Sequence, residues 1–167
     1  MINLDYYRKE GGVKDLVPNE KEQYISFLNV TYEDNLKASE FLLIKFPRWC
    51  IISGYYAMHD ISKLYLARRY GLKFSQPKVH AAVIQALREL VKKEDIIKLM
   101  EKAEEEYDEI ISLHLALIRG RDEREKSQYY TSSSITPEVA VQKASYFLEK
   151  LVKPYIKIIR KMVKDDI

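Results

Sequence analysis

The stretch PRWCIISGYYAMHDISKLYLARRYG, residues 47–71, is apolar on almost every side of a helix. Ile51, Tyr55, Met58 and Tyr65 fall on one face at helical spacing, and Ile52, Tyr56 and Leu66 fall on another. Such a helix has no wide face to give to water, so the rest of the chain must wrap it. Pro47 suits its first turn, where a missing N–H costs nothing, and Gly71 supplies a left-handed stop. The chain is therefore expected to build around this central helix.

The partners expected around it are also helices. Asn19 with Glu22 three residues later reads as a capping box, and Ile25, Leu28, Tyr32, Leu36 and Leu43 mark one face of a helix to about Phe46. Pro77 is expected to open a third helix through KVHAAVIQALRELV. A fourth runs from about Asp95 to Tyr130. A fifth opens at Thr136 and Pro137 and runs to the C-terminus, with a bend expected at Pro154. The first 18 residues, with Gly11, Gly12 and Pro18, read as a loose arm, leaving 19–167 as one helical domain. Only five glycines and five prolines in 167 residues favour helix over strand. The expectation is an all-α, up-and-down bundle of about five helices.

Several chemistries are set aside. Cys50 is the sole cysteine, so neither an intrachain disulfide nor a thiolate zinc cluster can form. There is no Gly-rich phosphate loop, nucleophile elbow or G-x-G-x-x-G. No metal or cofactor is expected. The opening MINLDYYRKEGG lacks the apolar run of a secretion signal, and no apolar run reaches a membrane span. A cytoplasmic protein without membrane association is expected. A net charge of +3 does not mark a wholesale nucleic-acid binder.

The fourth helix carries the sharpest anomaly. Ile96, Met100, Ala103, Tyr107, Ile110, His114 and Leu117 form one stripe, and Arg121 and Arg124 then take over the same line. A guanidinium on a packing face needs a carboxylate, a phosphate or water, and it matches phosphate through paired N–H donors. Arg119, Tyr129 and Tyr130 stand close in sequence and add a further cation and two stacking faces. The plainer account is a helix leaving the bundle at Gly120, with Arg121 paired to Glu125.

His59, His80 and His114 are secondary candidates, as general bases or as core residues bonded to neighbours. None pairs with another at ligand spacing, so no metal site is read from them. Lys150, Lys153, Lys157, Arg160 and Lys164 line one side of the last helix, opposite Leu151, Tyr155, Ile159 and Met162. That side reads first as a wet face and second as a track for a phosphate backbone.

Two segments carry a family resemblance. GYYAMHDISKLYLARRYG followed by KVHAAVIQAL resembles the central part of HEPN domains (higher eukaryote and prokaryote nucleotide-binding domains), and RGRDEREKSQYY resembles their last motif. The resemblance spans about residues 20–150. It implies a helical bundle that usually dimerises. Members include metal-independent ribonucleases, often toxins paired with a nucleotidyltransferase-type antitoxin, and non-catalytic nucleotide- or RNA-binding modules. The ribonucleases use an arginine followed after four to six residues by a histidine. Here the fifth residue after Arg124 is Tyr129, and no histidine follows His114. A phenol with a pKa near ~10 is a poor base at neutral pH. The resemblance thus implies a homodimer in which Arg121, Arg124 and Tyr129 hold a nucleotide or RNA phosphate without catalysis. A ribonuclease using another base, or a helical interaction protein with no ligand, are the alternatives.

Overall fold

The computed structural model describes residues 3–119 and 136–165, with the backbone alone for 113–119. The expected central helix is α3, Pro47–Tyr70, with Pro47 in its first turn. Cys50, Tyr55, Met58, Leu66 and Ala67 are fully enclosed along it. Gly71 stops it at φ 63°, its N–H returning to the carbonyls of Ala67 and Leu66.

Helix α2, Pro18–Leu42, folds back against α3 as a helical hairpin. Its inner face buries Leu28 and Tyr32, with Ile25, Leu36 and Leu43 partly covered. The expected capping box is corrected: Val17 is the cap residue, without a side-chain bond, and Pro18 occupies the first turn. The locked φ of proline sets that start one residue earlier than Asn19. Gly54 lets the layers meet. A Cβ there would lie 2.9 Å from Val152 Cγ2, 3.0 Å from Ser39 Oγ and 3.1 Å from Phe147 Cε1.

The N-terminal segment is not a loose arm. It forms α1, Leu4–Lys9, and β1, Val13–Asp15. Leu4, Tyr7 and Val13 enter the core. Strand β1 pairs antiparallel with β2, Leu72–Phe74, in the register Val13 to Phe74 and Asp15 to Leu72. The all-α expectation is corrected to this extent: a mostly helical chain carries one small two-stranded sheet. The glycine pair makes the clasp possible. Gly11 takes φ 79°, and a Cβ on Gly12 would lie 2.9 Å from the Pro77 carbonyl.

Helix α4, Val79–Ala86, continues as the π-helical turn π1, Leu87–Val91. It starts two residues after Pro77, because Lys78 takes a left-handed conformation as its cap. Helix α5, Glu94–Arg119, buries Ile96, Met100 and Ala103 and half-buries Tyr107 and Ile110, as the stripe predicts. The last helix comprises α6, Pro137–Tyr146, the π-helical π2, Phe147–Val152, and α7, Lys153–Asp165. Thr136 caps it, its hydroxyl accepting from Val139 N–H at 3.3 Å. Ahead of Pro154 the chain changes register, so that the Lys153 N–H reaches back to Leu148 O. That wider turn accommodates the missing proline donor.

Inside, Tyr155 donates to Ser62 Oγ at 2.6 Å, and Ser62 donates to Met58 O at 2.6 Å. Cys50 is buried where α2, α3 and α6 meet, 3.4 Å from Ser39 Oγ and 3.9 Å from Ala144 O. Burial raises its thiol pKa. No helix among the described residues is long and apolar enough to cross a membrane.

Candidate functional site

Two of the three candidate histidines meet. His59 lies one turn beyond Tyr55 on α3, and His80 stands at the start of α4. Their rings are 4.5 Å apart between centroids. The Tyr55 hydroxyl sits between them, 2.9 Å from His59 Nε2 and 3.3 Å from His80 Nδ1. Tyr107 of α5 stacks on Tyr55 at 4.1 Å with 16° between planes, and its hydroxyl lies 3.3 Å from that of the exposed Tyr56.

The bonding fixes the protons. His59 is wholly buried, and its Nδ1 has no partner among the described residues. A bare acceptor in such a place costs less than a bare N–H, so we assign the proton to Nε2, donating to Tyr55. Tyr55 then donates to His80 Nδ1, which leaves the His80 proton on Nε2. Burial holds His59 well below the ordinary imidazole range, with help from His80 and Lys63. Burial also lowers His80, with Lys63 adding to it and Asp108 and Asp60 opposing. Burial, Glu104 and Asp108 push the Tyr55 phenol upward. The three groups are neutral near pH 7 and form one hydrogen-bonded chain from His59 through Tyr55 to His80. No group of three or more histidine, cysteine or carboxylate side chains suited to a metal occurs among the described residues.

The second arrangement lies along α7. A groove of about 530 Å³ runs between α2 and α7, walled by Lys153, Lys157, Arg160, Lys161 and Lys164 against Leu36, Glu40 and Asp165. A second hollow of about 430 Å³ shares Arg160 and Lys164 and adds Arg68, Tyr32 and Glu33. Arg160 is held in place: its Nε donates to the Tyr32 hydroxyl at 3.3 Å, and the guanidinium lies 5.3 Å from that ring's centre. Lys153 is paired with Glu149 and Glu40. No carboxylate pairs with Arg68, Lys157, Lys161 or Lys164 among the described residues. Six cations face three carboxylates in the two hollows, an excess equal to the +3 of the whole chain. The molecule's surplus charge is thus matched by one strip.

No protein-family model, curated protein or solved structure matches this chain. A functional reading stands on these side chains and on the motif resemblance.

The candidates Arg121, Arg124, Tyr129 and Tyr130 lie outside the described residues, as do the side chains of Arg119 and His114. Of the last helix's cations, Lys153, Lys157, Arg160 and Lys164 line the groove, and Lys150 does not. Sequence reasoning missed Lys161 and Arg68. Arg68 comes from the end of α3, and only the packing of α3 beside α7 brings it there. In the sequence Tyr55 is one more apolar-face residue of the central helix, while in the fold its hydroxyl joins the two imidazoles.

Proposed function

We propose that this protein is a phosphate-binding helical module that takes RNA or a nucleotide along the α7 groove. The observation that carries this reading is the row of cations without carboxylate partners among the described residues, Lys157, Lys161, Lys164 and Arg68, around the fixed Arg160. Cations gathered in a hollow with apolar walls raise the local potential and attract a polyanion. Lysines supply point charges that tolerate any sequence, while Arg160 offers a held fork for one phosphate. The HEPN resemblance favours RNA or nucleotides over other polyanions. On that reading Arg121, Arg124, Tyr129 and Tyr130 add phosphate and base contacts, and a nucleotidyltransferase-like protein is the expected partner class.

Fluorescence anisotropy with short single-stranded RNA and with free nucleotides tests the reading. With about four phosphates engaged, log affinity should fall against log salt with a slope of roughly −3. Lys157→Glu with Lys161→Glu should abolish binding, and Arg124→Ala should weaken it. Absence of binding, or binding indifferent to the double lysine change, removes the proposal.

A second reading is an endoribonuclease in which the half-buried His80 serves as the base once the Tyr55 hydroxyl releases its Nδ1. Labelled RNA incubated in EDTA with the parent and with His80→Ala decides it. Cleavage by both at equal rate, or by neither, removes the enzyme.

A further inference from the structure

Helix α2 is apolar on two opposite sides. The inner side packs on α3, and the outer side carries Phe27, Val30, Asp34, Lys37, Phe41 and Ile44 (Ile44 in the turn just after the helix), spaced alternately by three and four residues. All six are exposed, Phe41 at 82% and Ile44 at 69%. A repeat averaging 3.5 residues is the seam of a coiled coil. Nothing else on the chain's described surface exposes large apolar side chains in such a row.

We infer that α2 is a self-association helix: two copies pair along this seam as an antiparallel coiled coil, about a twofold axis passing between Asn35 and Leu36. The order of residues selects the second copy as occupant. Reversed upon itself, the seam sets Phe27 opposite Ile44 and Val30 opposite Phe41. At the centre Asp34 faces Lys37, so the only two charges in the row meet as opposite signs, once on each side of the axis. A parallel pairing would set Asp34 against Asp34 and Lys37 against Lys37. An isologous contact must be complementary to itself, and this row is so only when antiparallel. A lipid surface would give the buried Asp34 no partner.

The four apolar seam residues present on the order of 500 Å² per copy, which with the polar side chains flanking the seam fits a weak, concentration-dependent dimer. The inference goes beyond the phosphate reading and stands without it.

Sedimentation equilibrium of the full chain and its variants is the test. The parent should be a concentration-dependent dimer. Phe41→Asp should weaken association by roughly a hundredfold, since it places a carboxylate in an apolar layer of both copies. Asp34→Lys alone and Lys37→Asp alone should each weaken it roughly tenfold by opposing like charges, and the two together should restore it. Restoration also shows that the reversed residues leave the fold intact. A parent that stays monomeric overturns the inference, and so does one that instead co-sediments with anionic vesicles. A dimer unmoved by Phe41→Asp places the contact elsewhere. Failure of the double reversal to recover association overturns the antiparallel register.

Discussion

The imidazole–tyrosine cluster and the α7 strip treat polar atoms in opposite ways. Between α3, α4 and α5 the protein encloses His59, Tyr55 and part of His80, and their hydrogen bonds are made largely to one another. Along α7 it leaves Lys157, Lys161 and Lys164 in water without a carboxylate partner among the described residues. The first arrangement contributes to the fold and the second does not. Chemistry available to a partner is therefore found where the structure spends least on holding its charges. A titratable residue at zero exposure is not by itself a site.

The comparison breaks if stability and binding fail to separate. The largest loss should come from Tyr55→Ala, which empties a fully buried aromatic position and strips both imidazoles of their bond; about 3–5 kcal/mol is expected in chemical denaturation. Next comes Gly54→Ala, whose methyl would press on Val152, Ser39 and Phe147, with a cost of about 1–3 kcal/mol in the same measurement. Acid should weaken the cluster in a defined direction. His59 has a folded pKa below its unfolded value of about 6.5, so the unfolded chain binds the proton first. Its contribution is complete above that pH and is lost as pH falls toward the folded value, by up to about 1.4 kcal/mol per pH unit. Comparing unfolding of the parent and His59→Gln from pH 7 to pH 5 isolates this share. A parent whose pH dependence equals that of the variant would place the titration elsewhere. The smallest effect on folding should be that of Lys157→Glu with Lys161→Glu, which should leave the unfolding midpoint almost where it was while removing RNA binding. Loss of both together would erase the distinction between the two regions.

Much of the architecture was legible because it follows from local periodicity. The all-round apolar helix of 47–71, the Ile96, Met100 and Ala103 stripe, the Thr136 cap and the Gly71 stop appear where local rules place them. What escaped notice depends on distant partners. Strand β1 is three residues long, and its mate lies beyond the whole α2–α3 hairpin. The outer seam of α2 is masked in the sequence because Ile25, Leu28, Tyr32 and Leu36 of the inner face already account for the periodicity of that helix. Gly54 reads as an ordinary helix residue until Val152 and Phe147 come within reach of its missing Cβ. At the candidate site, the C-terminal cations were visible in the sequence as a wet face. Only tertiary packing opposes that face to α2 and brings in Arg68, which makes it a groove. The arginines of 119–124, the sharpest anomaly in the sequence, lie where side chains are not described.

The clasp between Val13–Asp15 and Leu72–Phe74 has a practical side. It closes the end of the α2–α3 pair where α2 begins and α3 stops, and beside it α1 packs on α4 with Leu4 and Tyr7 in the core. A shortened version beginning at Pro18 would uncover Leu72 and Phe74 and leave a strand edge unmatched. Trimming those opening residues to aid expression would expose sticky surface and invite clumping.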